Sequence, residues 1–435
     1  MLSIPNVMLA IWLALSVCVP LLSVTSWPLV YVAYVALGVS SLVALARGGK
    51  MQRFPVLILF KIAFMLLLMI VHNMSQRTVV NLGSVAFADI VIGFFVMTQG
   101  HDFGALRRIL VRVRMMGLGL IVVGIGLGPV FASMFGLDDP IRDFLTGKRV
   151  RIFSQNFGHS ALIDFAMLML IMAVSNIASE RRGFRAVMVV LALALLAVAK
   201  TSIGYIGVGC VLGVALIEYL PLPSRARNGV HMLAVVAGMF AATTMSDDLI
   251  FNLRNFQSGG TLTTAEAPKQ DLTAGRALLN SELQSVANDY PVFGAGTDVG
   301  LLQDGLIRNG VKMAMSESGL RLAAKYGWLY FAVVLILIAS PLMALRLRDR
   351  PVRIFCIALS LYLLDVFAFN SLFEVAHDGR YIWMLPLVIF VGSYCFHAGR
   401  KWTPRAITFQ PVHSAVAPPT TPPIATFRIE NRESP

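Results

Sequence analysis

The chain has 435 residues, 57% of them hydrophobic and only 14% charged, with a mean hydropathy of +0.75. That balance excludes a water-soluble fold of this length. The formal charge of +13 gives no support to nucleic-acid binding, because the basic residues follow membrane topology rather than one surface stripe.

Hydropathy predicts about twelve apolar runs: 5–24, 28–46, 54–72, 79–98, 109–135, 159–177, 184–199, 202–220, 229–245, 319–345, 353–372 and 380–398. At about 1.5 Å per residue most of them can cross a hydrocarbon core of about 30 Å as helices. The runs do not alternate apolar with polar, which argues against a barrel. The expected fold class is all-α, a polytopic transmembrane helix bundle. Its expected divisions are spans one to nine over 1–245, a long outer loop with short amphipathic helices over 246–318, spans ten to twelve over 319–398, and a disordered tail over 399–435 containing APPTTPP.

No Lys or Arg precedes the first run, so it reads as an uncleaved helix rather than a signal peptide. Placing the N-terminus in the cytoplasm gathers Arg47, Lys50, Arg53, Arg107, Arg108, Arg112, Arg114, Arg181, Arg182, Arg185 and the Arg346–Arg353 cluster on one side. Even parity returns the C-terminus to that side. Within spans three and four, Lys61 and Asp89 fall at similar depth on antiparallel neighbours and are expected to pair. Asp164 and Asp365 have no evident partner in the sequence and read as cavity-lining or proton-carrying groups.

Cations on the opposite, outer side need a ligand that topology does not supply. Arg151, Lys200, Arg276, Arg321, Lys325 and Arg380 are among them, and a polyanion at the outer leaflet accounts for their retention. Lys200 sits in VAKTSIGYIG between two closely spaced runs. Thr201, Ser202 and Gly204 after it offer either a phosphate cradle of hydroxyls and free N–H groups or an ordinary interface anchor.

The outer loop carries a helical pattern from Thr273, led by Arg276, with Leu279, Leu283 and Val286 on one face and a stop at Asn288-Asp289-Tyr290-Pro291. PVFGAG follows. Gly294 and Gly296 there predict a tight turn whose exposed N–H groups could hold an anion or a sugar, with a plain surface turn as the alternative. Glu317, Arg321 and Lys325 then recur at four-residue spacing on the re-entering helix. Arg321 and Lys325 are a like-charge pair that a phosphate between them would relieve, although Lys325 could also snorkel. The last outer connector holds Glu374, His377, Asp378 and Arg380, and His159 opens span six; either histidine could be a base or a solvated turn residue. The four cysteines all fall inside predicted spans without metal-ligand spacing, so neither a disulfide nor a metal site is expected.

Taken together, the order of these elements resembles the bacterial Wzy-type polysaccharide polymerase and O-antigen ligase superfamily, and most of all xanthan-type exopolysaccharide polymerases. The resemblance rests on the AKTS turn at Lys200, the loop between spans nine and ten with AGR…YPVFGAG, and the re-entry run LAAKYGWLYF. It implies an integral-membrane glycosyltransferase of the GT-C type in the inner membrane, working without metal or cofactor. Its implied substrates are an undecaprenyl-diphosphate-linked oligosaccharide and the growing polysaccharide chain, with membrane lipids around it and a chain-length regulator and export proteins as partners. By the same resemblance Lys200 and Arg276 hold the diphosphate; Arg321, Lys325, Arg380, Arg151 and His159, read from the outer-face residues themselves, are expected to join them as substrate-binding groups. Ligases of the superfamily share a His before the re-entry helix where this chain has Ser316-Glu317-Ser318, which points to a polymerase. Glu317, or His377 in its stead, would be the general base. A ligase and a lipid-linked oligosaccharide flippase using Asp164 and Asp365 are the rival readings.

Overall fold

A computed structural model describes residues 8, 10–12, 14–15, 27–46, 55–72, 76–99, 103–135, 139–146, 150, 158–199, 201–243, 276–296, 319–369 and 384–398. Among them every regular element is helical: α1 Trp27–Ala46, α2 Val56–Val71, α3 Gln76–Gln99, α4 Phe103–Phe135, α5 Pro140–Leu145, α6 Gly158–Ser175, α7 Arg182–Ala199, α8 Ser202–Tyr219, α9 Ser224–Thr243, α10 Arg276–Asp289, α11 Leu320–Ala339, α12 Arg350–Phe369 and α13 Leu385–Ala398. A 3-10 segment, Ser340–Arg346, continues α11. Helices satisfy their own backbone polar groups, which is the condition for an apolar chain to lie in lipid.

Among the described residues five segments are long and apolar enough to span a bilayer: Leu29–Ala46, Val79–Gln99, Leu106–Val130, Arg182–Ala199 and Leu320–Arg346. Val56–Val71, Leu162–Ser175, Ile203–Tyr219 and Leu385–Ala398 are apolar but shorter. The protein is therefore a helical membrane protein. Each expected run from the second onward overlies a helix, with shifted ends: α4 starts at Phe103 and α9 at Ser224, both ahead of the apolar stretch, because their basic first turns are helical too.

Breaks between helices have local causes. Proline follows α8 at Pro221 and Pro223, where the chain has extended φ/ψ from Leu220. The reversal between α6 and α7 uses two non-glycine residues with positive φ, Asn176 at 56° and Ser179 at 52°. Asn176 is well suited to that conformation, and its side-chain oxygen accepts the Glu180 N–H at 3.0 Å. Arg107 from α4 donates to the Ala178 carbonyl, and Arg114 forks onto Glu180, with one arm at 2.9 Å.

The bundle centres on α6 and α12. Residues Phe165 to Ala173 are all at most 2% exposed, as are Phe355, Tyr362 and Phe367 on α12. Gly207 of α8 lets that helix approach both: a Cβ there would meet the Met167 Sδ at 3.2 Å and the Tyr362 ring at 3.1 Å.

Buried charges are matched across helices. The expected pair forms: Lys61 of α2 donates to Asp89 of α3 at 2.6 Å, and both side chains are fully buried. At one end of the bundle Glu218 of α8, also fully buried, receives Arg353 of α12 at 2.6 Å, His231 of α9 at 3.2 Å and Arg227 at 3.6 Å. Three helices are thereby tied through one carboxylate, in keeping with the rule that intramembrane charges pair. Cys210, Cys356 and Cys395 are free thiols, the last two with sulfurs 3.6 Å apart.

Candidate functional site

The long loop returns to the bundle as α10, a turn and α11. Helix α10 spans Arg276–Asp289 as the periodicity predicts, and its Leu283 packs with Leu320 and Ala324 of α11, flanked by Val286 and Trp328. Trp328 donates its indole N–H to Asn288 at 3.3 Å, fixing the end of α10 against α11.

The turn is seated in a break of α11. Gly327 has φ 87° and ψ 165°, a conformation open almost only to glycine. That break leaves carbonyls of the first α11 segment without helical donors, and the turn supplies them: Ala295 N–H to Ala324 O at 2.8 Å and Gly296 N–H to Lys325 O at 3.1 Å. In return Trp328 N–H donates to Pro291 O at 2.8 Å. Gly294 and Gly296 have φ of 69° and 81°, as the sequence predicts for a tight turn. The expectation of exposed N–H groups is corrected, because Gly294 donates to Tyr290 O at 3.0 Å and the next two N–H groups enter α11. The turn is a structural clasp rather than an anion cradle. His72, just past the end of α2, completes it with Nε2 2.9 Å from the Phe293 carbonyl oxygen.

Two of the expected site cations are carried by α11 beside this clasp. Lys325 is 6% exposed and Arg321 half-buried, and both make polar interactions. The Lys325 carbonyl accepts from the turn, and its side chain is buried and does not snorkel to a surface.

At the second predicted element, Thr201 caps α8 and its hydroxyl accepts the Gly204 N–H at 3.1 Å. The hydroxyl cap is present; the Gly204 N–H is consumed by it and is not free for a phosphate, which corrects half of that expectation. Thr201→Val is expected to cost about 1 kcal/mol through loss of the cap, read as a lowered unfolding temperature in detergent; an unchanged temperature would show that the cap contributes nothing.

The described contacts bring these elements to one end of the bundle. Gly319, opening α11, donates to the Phe367 carbonyl of α12 at 2.8 Å. Tyr362 on that same helix packs on Gly207, near the start of α8. The clasp adds the end of α2. Thus the ends of α2, α8, α11 and α12 converge with α10.

Below that end, Asp164 of α6 accepts the Tyr362 hydroxyl. The partner that the sequence does not reveal for Asp164 is thus Tyr362. Asp365, one turn further along α12, has a buried Oδ2 with no hydrogen-bond partner among the described residues. Among the described residues no cluster of His, Cys, Asp or Glu could hold a metal.

Of the remaining predicted residues, Arg276 is the first of α10 and His159 the second of α6. Lys200, Glu317, His377, Arg380 and Arg151 lie outside the described residues. His72 and Gly327 were not singled out by sequence reasoning. His72 could have been, as a polar residue at the predicted outer end of span three. No family model matches the chain, and no characterised protein matches it in sequence.

Proposed function

We propose that the protein is an integral-membrane glycosyltransferase of about twelve spans that polymerises exopolysaccharide, joining undecaprenyl-diphosphate-linked oligosaccharide repeat units at the periplasmic face of a bacterial inner membrane. The observation that carries this reading is the convergence just described. The loop helix α10, the cations Arg321 and Lys325 on α11 and the Thr201 cap next to Lys200 belong to elements that meet at one end of an apolar bundle. Both chain termini and the Arg-rich helix ends are assigned to the cytoplasm, and that convergent end to the periplasm.

In the proposed reaction Lys200 and Arg276 hold the diphosphate, with Arg321, Lys325, Arg380 and Arg151 adding to the field and His159 lining the approach. An acceptor-sugar hydroxyl attacks the anomeric carbon of the lipid-linked unit. The bond from that carbon to the diphosphate oxygen breaks, the lipid diphosphate leaves, and the hydroxyl proton passes to Glu317 or His377. Catalysis is then positioning plus stabilisation of charge on the leaving group in a site of low dielectric. The chemistry needs neither metal nor cofactor.

The test is replacement of Lys200 and Arg276 by Ala, Glu317 by Gln and His377 by Ala in a strain lacking the native copy, with expression checked. Loss of long polymer and build-up of single lipid-linked repeat units on the periplasmic side is the expected result. Normal polymer from all four would overturn the site. One observation favours a second reading, a flippase: the unpartnered oxygen of Asp365 inside the bundle. If Asp365→Asn strands repeat units on the cytoplasmic side while the four other variants are normal, transport replaces polymerisation.

A further inference from the structure

At the opposite end of the bundle, where Arg185, Glu218 and Arg353 sit, a cavity of about 350 Å³ opens between α6, α7 and α8. Its wall is built from two arginines, Arg182 and Arg185, one tyrosine, Tyr219, and apolar Val174 and Val189. We propose that this cavity binds the headgroup of an anionic phospholipid, with the acyl chains running down the α7 and α8 faces beside it. The inference is separate from the proposed catalytic function and uses none of its residues.

Charge is the first argument. Arg182 is exposed and makes no ion pair or hydrogen bond within the described protein. Arg185 is half-buried and held in place by donating Nε to the Ala173 carbonyl at 2.8 Å and Nη2 to the Val174 carbonyl at 3.4 Å, the last turn of α6. Those bonds orient its guanidinium without neutralising it. The acid nearest in sequence, Glu180, is taken by Arg114, and among the described residues no carboxylate lines the cavity. Arg350 adds a further cation stacked on the Tyr219 ring at 5.1 Å, although Asp349 precedes it. A phosphate is the ligand that two guanidinium groups beside a tyrosine suit best.

Position is the second argument. Arg182 is the first residue of α7 and Tyr219 the last of α8, so the cavity lies where apolar helices leave the hydrocarbon. Tyrosine and arginine are the residues that favour that boundary. The surface leading away from the cavity is apolar and uncovered: Val187 is 58%, Val190 67% and Leu216 62% exposed. A free phosphate has no use for such a surface, whereas a diacyl lipid covers it.

The experiment uses the full chain, delipidated in detergent and titrated with phosphatidylglycerol or phosphatidylcholine under native mass spectrometry. Wild type should take up phosphatidylglycerol in preference, and Arg182→Gln should weaken that uptake about fivefold, the effect of about one interfacial arginine. Arg182→Gln with Tyr219→Leu should erase the preference. Arg225→Gln, an equal loss of charge at an arginine that does not line the cavity, should leave it intact. Equal uptake of both lipids by wild type, or equal loss in the Arg225 control, would overturn the proposal. Displacement of the lipid by millimolar inorganic phosphate would also overturn it, since the site would then be one for a free anion.

Discussion

Replacing Lys61 with Met should destabilise the protein by about 3–5 kcal/mol, because it leaves the carboxylate of Asp89 buried without its cation. Asp89→Leu alone should cost a similar amount for the mirror-image reason. The pair is fully buried, joined at 2.6 Å, and sits between neighbouring helices α2 and α3. Removing both charges together removes the desolvation cost as well as the attraction. The double variant Lys61→Met with Asp89→Leu should therefore be near wild type, and the two single losses should fail to add. Unfolding temperatures of the four proteins in one detergent measure this directly. If the double variant loses as much as the two singles combined, the pair is not the interaction that holds α2 to α3. Such a result would also remove the reason for two charges at this depth, which neither the proposed chemistry nor the lipid cavity uses.

That pair was legible in the sequence because depth along antiparallel neighbours is set by residue count alone. The bounds of α10 were legible for a similar reason: an apolar face with period 3.6 and a terminal Asn-Asp-Tyr-Pro are local signals. The partner of Asp164 was not, because Tyr362 lies on a helix almost two hundred residues away and nothing local marks it. Occupancy of backbone donors is equally invisible before folding. PVFGAG announces its two left-handed glycines, yet whether its N–H groups face a ligand or another strand of chain depends on α11, and α11 takes them. The break in α11 was hidden because a glycine in an apolar run resembles the many glycines that such helices tolerate. The proposed functional reading inherits this division: the convergence of elements stands on contacts, and the chemistry of Lys200 and Glu317 on the resemblance.

Gly327→Ala should release the clasp and, on the proposed function, abolish polymer formation. A β-carbon at φ 87° and ψ 165° is strained by about 1–3 kcal/mol before any contact is counted. Here it would also collide with the Val292 carbonyl, a backbone atom that cannot rotate aside. Relief requires either helical rewinding of α11 through residue 327 or withdrawal of the turn. Both outcomes break the hydrogen bonds from Ala295, Gly296 and Trp328 and uncouple His72 from Phe293. The amides of Ala295 and Gly296 are then expected to exchange with solvent deuterium many times faster, and the chain between Asp289 and Gly296 to become cleavable by added protease. Gly83→Ala is the matched control, because a Cβ at that helical position meets nothing within 4 Å; its exchange and polymer yield should equal wild type. Unaltered protection in Gly327→Ala would show that the turn is held by α10 packing instead. Faster exchange with normal polymer would separate the clasp from the proposed site, leaving Arg321 and Lys325 as structural charges.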